Sequence, residues 1–258
     1  MGILNLTPDS FYDGGNFTAI DKQLMKVEQM LLEGASIIDI GAVSTRPRAE
    51  VVSQTIELER LVPSLKAIRI RFPECILSVD TFRPFVAKAA VSYGADIIND
   101  IYCGRFKEGM FETIATLNIP YIMMHMKGNP DNMQENPIYS DVVAEIIYFF
   151  EQQTARCRMA GLQQIIIDPG FGFGKTDDHN YRLLARLEEF KSLGYPILVG
   201  FSRKSMINRV LKTSPEEALN GTTILNTIAL IKGADILRVH DVKEAMQAIR
   251  LVGMMKNW

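Results

Sequence analysis

The chain has 258 residues, 47% of them hydrophobic and 22% charged, which supplies one large core and matches the usual length of a single α/β barrel. Its 28 basic and 30 acidic residues are interspersed and leave a net charge of −2, which excludes the concentrated basic surface of a nucleic-acid or membrane-surface protein. Cys75, Cys103 and Cys157 lie far apart without a Cys-x-x-Cys pair, excluding a disulfide framework or thiolate zinc site. No apolar stretch reaches the ~18 residues needed to span a bilayer, and the amino terminus lacks the regions of a secretory signal. The expectation is a cytoplasmic protein that handles small molecules, with neither nucleic acid nor membrane as partner.

Strand-like and helix-like segments then alternate eight times along the chain. Predicted strands span residues 1–6, 36–40, 76–79, 96–99, 121–124, 164–167, 197–200 and 235–239. Helical apolar spacing lies between them, as in Leu24, Val27, Met30 and Leu31, or Leu183, Leu184, Leu187 and Phe190. Three segments repeat one pattern: Gly34-Ala35-Ser36-Ile37-Ile38-Asp39, Gly94-Ala95-Asp96-Ile97-Ile98-Asn99 and Gly233-Ala234-Asp235-Ile236-Leu237-Arg238. In each, a glycine ends a helix and an apolar strand runs to a polar tip. Eight such units close most simply as a (β/α)8 barrel of the α/β class, one domain over residues 1–258, with chemistry in the loops after the strands. A doubly wound open sheet is the alternative. Residues 127–139 form the longest irregular stretch and are a candidate mobile loop.

The run Ile165-Ile166-Ile167-Asp168-Pro169-Gly170-Phe171-Gly172-Phe173-Gly174-Lys175 concentrates these signals. A buried strand ends at Asp168 because Pro169 cannot continue it, and the glycines that follow permit close approach by a ligand. A nucleotide phosphate loop would need glycine where Pro169 stands, so that reading is rejected. The other strand ends carry Asn5, Asp39, Asp80, Asn99, His125, Ser202 with Lys204, and Arg238 with His240. Asp80, Asn99 and Asp168 suit a flat heterocycle rich in N–H groups, whereas Lys204, Arg238 and His240 suit an anion such as phosphate. The blander readings make Asp39 and Asp100 turn caps, Asp80 the start of the next helix, His125 a core histidine and His179 a solvent-facing residue. Arg238 and His240 are two apart on a strand, so both are expected to point one way as a cationic tip.

In chain order, Gly2-Ile3-Leu4-Asn5-Leu6-Thr7-Pro8-Asp9-Ser10-Phe11, Ser44-Thr45-Arg46-Pro47, Ser78-Val79-Asp80-Thr81, Ile98-Asn99-Asp100, Asp168-Pro169-Gly170-Phe171-Gly172, Ser202-Arg203-Lys204 and Arg238-Val239-His240-Asp241 resemble the motifs of the dihydropteroate synthases. The resemblance covers essentially the whole chain. It implies a transferase that condenses 6-hydroxymethyl-7,8-dihydropterin diphosphate with p-aminobenzoate, releasing pyrophosphate and forming 7,8-dihydropteroate for folate synthesis. It further implies a homodimer, a magnesium ion and inhibition by sulfonamides. Catalytic roles would fall to Asp80, Lys204, Arg238 and His240. Asp80, Asn99, Asp168, Phe173, Lys204 and Arg238 would hold the pterin. Asn5, Thr45, Arg238 and His240 would hold the diphosphate, with Asn5 also on the metal. Phe11, Arg46, Pro47, Ser202 and Lys204 would hold p-aminobenzoate. An electron-poor methylene beside Asp80 favours departure of the diphosphate before attack, and the unprotonated aniline nitrogen needs no general base.

The chain departs from the family pattern at Ala42-Val43, at Tyr12 and at Arg48, where glycine is usual after the Arg-Pro pair. Arg48 adds bulk and charge beside the implied aminobenzoate pocket, so affinity for p-aminobenzoate or sulfonamides is the property it would alter. A pterin-dependent methyltransferase acting with a corrinoid protein is the nearest enzyme alternative, and a non-catalytic pterin-binding paralogue is a third reading. Neither has a use for both the Thr-Pro-Asp-Ser-Phe and Ser-Thr-Arg-Pro loops together with Lys204.

Overall fold

A computed structural model of the chain describes residues 1–6, 19–43, 52–128, 133, 135 and 137–256. Strands β1 (Gly2–Asn5), β2 (Ile37–Gly41), β3 (Ile76–Asp80), β4 (Ile97–Asp100), β5 (Tyr121–Met124) and β6 (Ile165–Asp168) form one all-parallel sheet in sequential order. Strands β7 (Leu198–Val199) and β8 (Ile236–Leu237) form a second parallel pair. Isolated bridges Ile167↔Ile197 and Gly2↔Val239 join the pair to β6 and to β1, and these close the ring into the expected (β/α)8 barrel. The open-sheet alternative is thereby excluded.

The helices are α1 (Ala19–Leu32), α2 (Gln54–Arg71), α3 (Pro84–Ser92), α4 (Met110–Leu117), α5 (Val142–Met159), α6 (Asp177–Ala185), α7 (Ser205–Leu211), α8 (Leu219–Ile231) and α9 (Val242–Lys256), with a 3-10 turn at Leu187–Leu193 after α6. The connection from β7 to β8 thus holds two helices, where simple alternation predicts one. The helix predicted around Leu183–Phe190 divides into α6 and the 3-10 turn, although Leu183, Leu184, Leu187 and Phe190 are all buried as their spacing requires. Gly34, Gly94 and Gly233 take φ of 103°, 97° and 97°, so each repeated glycine does end its helix in a conformation other residues resist. Asp141 caps α5 by accepting from Val143 N at 2.9 Å and Ala144 N at 3.1 Å.

Side-chain alternation sorts each strand into a helix-facing and a barrel-facing row. Leu4, Ile38, Ile40, Leu77, Val79, Ile98 and Ile167 lie in the large core under the helices. Ile97, Ile122 and Leu198, with Met1, Ile37, Ile166 and Ile236 packed against them, form a smaller apolar cluster inside the barrel. Two residues further along the same row come Asp39, Asn99, Met124, Asp168, Gly200 and Arg238. Register adds Asn5 level with Gly41, Gly41 with Asp80, and Asp80 with Asn99. An apolar plug therefore fills the barrel's lower half and a polar layer stands on top of it, at the carboxyl ends of the strands.

Strands β7 and β8 are shorter than predicted. Ile197 N is held by Asp235 Oδ2 at 2.8 Å, and Ile197 O accepts from both Asp235 N at 2.9 Å and Ile236 N at 3.1 Å. That sharing interrupts the regular ladder, so pairing is limited to two residues in each strand. On α9, Ala245, Ala248 and Val252 are buried against the barrel, which makes this face barrel cover.

Candidate functional site

Asn5, Asp80, Asn99, Asp168, Ser202, Lys204, Arg238 and His240 stand at the carboxyl-terminal ends of the strands or in the loops that follow, at one mouth. Their hydrogen bonds link them across the barrel. Arg238 donates from Nε to Asp39 Oδ2 at 2.6 Å and from its terminal nitrogen to Asp80 Oδ2 at 3.1 Å. Asn99 Nδ2 donates to the same Asp39 oxygen at 3.2 Å, and Ser78 Oγ donates to Asp39 Oδ1 at 2.6 Å. Asp39 is fully buried. It is therefore not the turn cap of the bland sequence reading but the hub that aims Asn99 and Arg238 into the mouth. Asp80 is likewise not a helix start, since α3 begins four residues later with Arg83 as its cap residue. Burial raises the Asp80 pKa, and the adjacent Arg238 opposes that rise.

Asp100 does behave as a turn cap: its carboxylate accepts from Tyr102 N at 2.7 Å and Gly104 N at 2.8 Å, and additionally from Tyr121 Oη at 2.6 Å. His125 is a buried core histidine, as expected. His179 is half-buried rather than solvent-facing. Its ring accepts from Thr176 N in a capping box and packs edge-on against Tyr139 at 4.9 Å.

After Asp168 the chain makes a tight loop in which Gly170, Gly172 and Gly174 all have positive φ, at 72°, 83° and 63°. A Cβ on Gly170 would overlap the carbonyl oxygen of His125, so the loop lies directly on the end of β5. Gly170 N donates to Asp168 Oδ1 at 2.8 Å, which orients the carboxylate. Burial raises the Asp168 pKa, with Lys204 the largest opposing influence. Lys204 Nζ donates to Phe171 O at 2.5 Å and lies 4.8 Å from the centre of the Phe173 ring. Burial pushes its pKa down to about 8. Phe173 is half-buried and joins a rim cluster of Phe82, Ile101, Met124 and Met126. Phe173 was expected here from the sequence, whereas Phe82, Ile101, Met124 and Met126 were not, because only the glycine-rich turn and the polar strand ends were read for the site; alternation from Ile122 points to Met124 directly.

Ser202 and His240 form a pair: Ser202 Oγ accepts from His240 N at 3.2 Å and lies 3.0 Å from His240 Nδ1. Between Ser202 and Lys204, Arg203 sits in the left-handed region at φ 57°, a conformation costing a side-chain-bearing residue ~1–3 kcal/mol. Two hydrogen bonds to Asp241, at 3.1 and 2.7 Å, and one from its backbone to Thr222 Oγ1 at 3.1 Å hold it there. Burial and Arg238 push the His240 pKa down to about 4, so His240 is neutral at pH 7. The expected cationic tip is thus Arg238 alone, and the two side chains take different partners.

Thr45, Arg46, Pro47, Arg48, Phe11 and Tyr12 lie outside the described residues. The chain on either side of 44–51 is firmly tied, because Arg60 donates to Ala42 O at 3.2 Å and Arg83 donates to Val52 O at 2.7 Å. Arg83 in turn forms a buried ion pair with Glu57, which also accepts from Thr81 Oγ1 at 2.6 Å. Asn5 has an exposed side chain beside Gly41 and Asp80, where a Cβ on Gly41 would lie 3.7 Å from Asn5 Oδ1 and 3.8 Å from Asp80 Oδ2. No cluster of three or more His, Cys, Asp or Glu side chains among the described residues is placed to hold a metal unaided. No helix among them is long and apolar enough to cross a membrane.

The mouth therefore brings acceptors, cations and an apolar wall to one end of the barrel, and comparison with known proteins identifies the family. The family model for pterin binding enzymes matches residues 1–240. The chain is 48% identical to dihydropteroate synthase of Escherichia coli K12 over 98% of its own length and 89% of that protein. It is 47% identical to the Haemophilus influenzae dihydropteroate synthase over 97% and 91% of the two chains. Among solved structures, the Yersinia pestis dihydropteroate synthase in a sulfonamide drug complex superposes with a TM-score of 0.92 at 43% identity, covering 99% of this chain and 93% of that one. The Xanthomonas albilineans enzyme with 4-aminobenzoic acid gives 0.92 at 39% identity, covering 99% and 92%. With family model, relatives and fold in agreement along the barrel, the chain belongs to the dihydropteroate synthase family of pterin-binding transferases.

Proposed function

We propose that the mouth binds 6-hydroxymethyl-7,8-dihydropterin diphosphate and p-aminobenzoate and joins them as 7,8-dihydropteroate with release of pyrophosphate. The observation that carries this reading is the meeting of Asp80, Asn99 and Asp168 with Lys204 and Arg238 at one rim, bonded through Asp39 and through the Phe171 carbonyl. Asp168 accepts from the N–H edge of the pterin with Asn99 beside it, and each charge-assisted hydrogen bond is worth roughly 1.5–3 kcal/mol. Phe173, Met124 and Ile101 supply the apolar wall around the ring. Lys204, already at the Asp168 loop, reaches the pterin edge and flanks p-aminobenzoate.

The bond from the methylene carbon to the diphosphate breaks first, and its electron pair leaves with pyrophosphate. Asp80 stabilises the positive charge left on the conjugated ring, and Arg238 holds the departing anion. The amine of p-aminobenzoate then attacks carbon and loses a proton to solvent. His240 contributes to the anion site as a neutral hydrogen-bonding group. Thr45 is assigned to the same anion, and Phe11, Arg46, Pro47 and Ser202 to p-aminobenzoate. Asn5, exposed at the rim, would hold a magnesium ion through its amide oxygen, a hard ligand of the kind that ion takes. When bound, that ion neutralises charge on the leaving group. Sulfonamides compete at the p-aminobenzoate position.

The protein acts as a cytoplasmic homodimer. Ile224, Ile228 and Ile231 form an exposed apolar stripe along α8, at the spacing of one helix face, suited to burial against a second copy. The deciding experiment measures pyrophosphate release from the dihydropterin diphosphate with and without p-aminobenzoate and magnesium. Release that requires magnesium and yields dihydropteroate only with p-aminobenzoate supports the proposal; absence of any pterin product sinks it.

A further inference from the structure

Lys175 is the one charged residue of the glycine-rich loop, and sequence reasoning set it aside once the phosphate-loop motif failed. The structure buries it to 1% exposure. Its Nζ lies 3.0 Å from His125 Nδ1, 2.9 Å from Gly170 O and 3.0 Å from Phe173 O. Three acceptors surround Nζ, one for each donor of an ammonium; burial pushes the Lys175 pKa well down, and the nearby Asp168 opposes that fall. Histidine accepts at Nδ1 when its proton is on Nε2, and the lowered His125 pKa agrees with a neutral ring.

The three acceptors share a function. Gly170 O belongs to the residue whose N–H orients Asp168, Phe173 O to the residue under Lys204, and His125 to the end of β5. Other backbone groups of the turn are also taken: Gly174 O accepts from Tyr139 Oη at 2.8 Å, and Gly172 N donates to Asn180 Oδ1 at 2.8 Å. Where an apolar side chain of similar shape can fill a space, replacing a buried charge by it is often neutral or stabilising. A lysine with all three donors used at this turn therefore points to control of shape.

We propose that Lys175 is a positioning residue that splints the Gly170–Gly174 turn to β5 and so holds Asp168 and Phe173 in the geometry that receives the pterin ring. This rests on the ring-binding role assigned to Asp168 above. Lys175 itself is not placed to touch the ring.

The test uses calorimetry with two probes, 6-hydroxymethylpterin for the ring subsite and inorganic pyrophosphate for the anion subsite. Lys175→Met is expected to weaken ring binding roughly tenfold or more while leaving pyrophosphate affinity within about twofold, since a supporting contact acts on its own subsite. Unchanged ring affinity, or equal loss for both probes, overturns the proposal. Should Lys175→Met fail to fold, His125→Leu and His125→Asn replace it, because Asn Oδ1 can stand where imidazole Nδ1 stood. Ring affinity lost in the leucine variant and kept in the asparagine variant supports the splint; equal affinities in the two overturn it. Asp168→Asn serves as the reference: intact ring binding there refutes the site assignment itself, whereas weakened binding there with normal Lys175→Met refutes only the splint.

Discussion

Asp39 offers the sharpest test of how the mouth is held together. Its two oxygens receive Arg238 Nε, Asn99 Nδ2 and Ser78 Oγ, and none of the carboxylate is exposed. Asp39→Asn can keep the hydrogen-bond count, with its carbonyl oxygen toward Arg238 and Asn99 and its amide toward a Ser78 hydroxyl that turns to accept. What it loses is charge assistance at the two bonds from neutral donors, Asn99 and Ser78, or about 2–3 kcal/mol for the pair at about 1–1.5 kcal/mol each. Asp39→Ala removes all three acceptor contacts and leaves Asn99 and Ser78 as buried donors, while Arg238 keeps Asp80. Its expected cost is about 3–5 kcal/mol of folding stability. Urea denaturation monitored by far-ultraviolet dichroism reads both values. Steady-state kinetics on the folded protein should show the KM for the pterin diphosphate rising about tenfold in the alanine variant, because Arg238 and Asn99 lose their aim. If Asp39→Ala costs less than about 1 kcal/mol and leaves KM unchanged, the hub described here does not organise the site.

Lys204→Ala should lower turnover ~10²-fold or more through loss of a preorganised cation, and near-normal turnover would remove Lys204 from the mechanism. Burial places the Lys204 pKa at about 8, below that of an exposed lysine, so the ammonium is lost as pH rises through about 8 and kcat/KM should fall on that limb. Lys204→Arg stays charged there, and a surviving inflection near pH 8 in that variant would assign it to another group. His240, already neutral at pH 7, should add no inflection of its own between roughly pH 5 and 8, and His240→Asn should leave the profile's shape intact in that range. A wild-type inflection there that disappears in the variant would contradict the neutral assignment.

Period-two alternation made the barrel and most of its mouth readable in advance. Ile37 to Asp39, Ile97 to Asn99, Ile166 to Asp168 and Ile236 to Arg238 each pass from plug to polar layer in two residues, and all four tips were identified from the chain alone. Partnership across strands was not readable, because alternation reports a side chain's face but not which side chain it meets. Asp39 looked like a turn cap until Arg238, 199 residues later, was seen to close on it. Lys175 was hidden for a related reason: three acceptors spread over Phe173, Gly170 and His125 leave no local spacing to recognise. The second helix between β7 and β8 followed a single predicted crossover, and hydrophobic periodicity alone did not divide it.

Barrel closure by two isolated bridges bears on how ligands act on the whole protein. The acceptors Asp80, Asn99 and Asp168 ride on the six-stranded panel, and Lys204 and Arg238 ride with the short β7–β8 panel. Arg238 already stitches the two together through Asp39 and Asp80. A molecule whose ring grips one panel and whose charged tail grips the other spans the same seams, so occupancy tightens the cylinder where its own ladder is thinnest. Substrate bound in the way proposed would be a temporary stave of the barrel, and slower amide exchange along the seams is the trace it would leave.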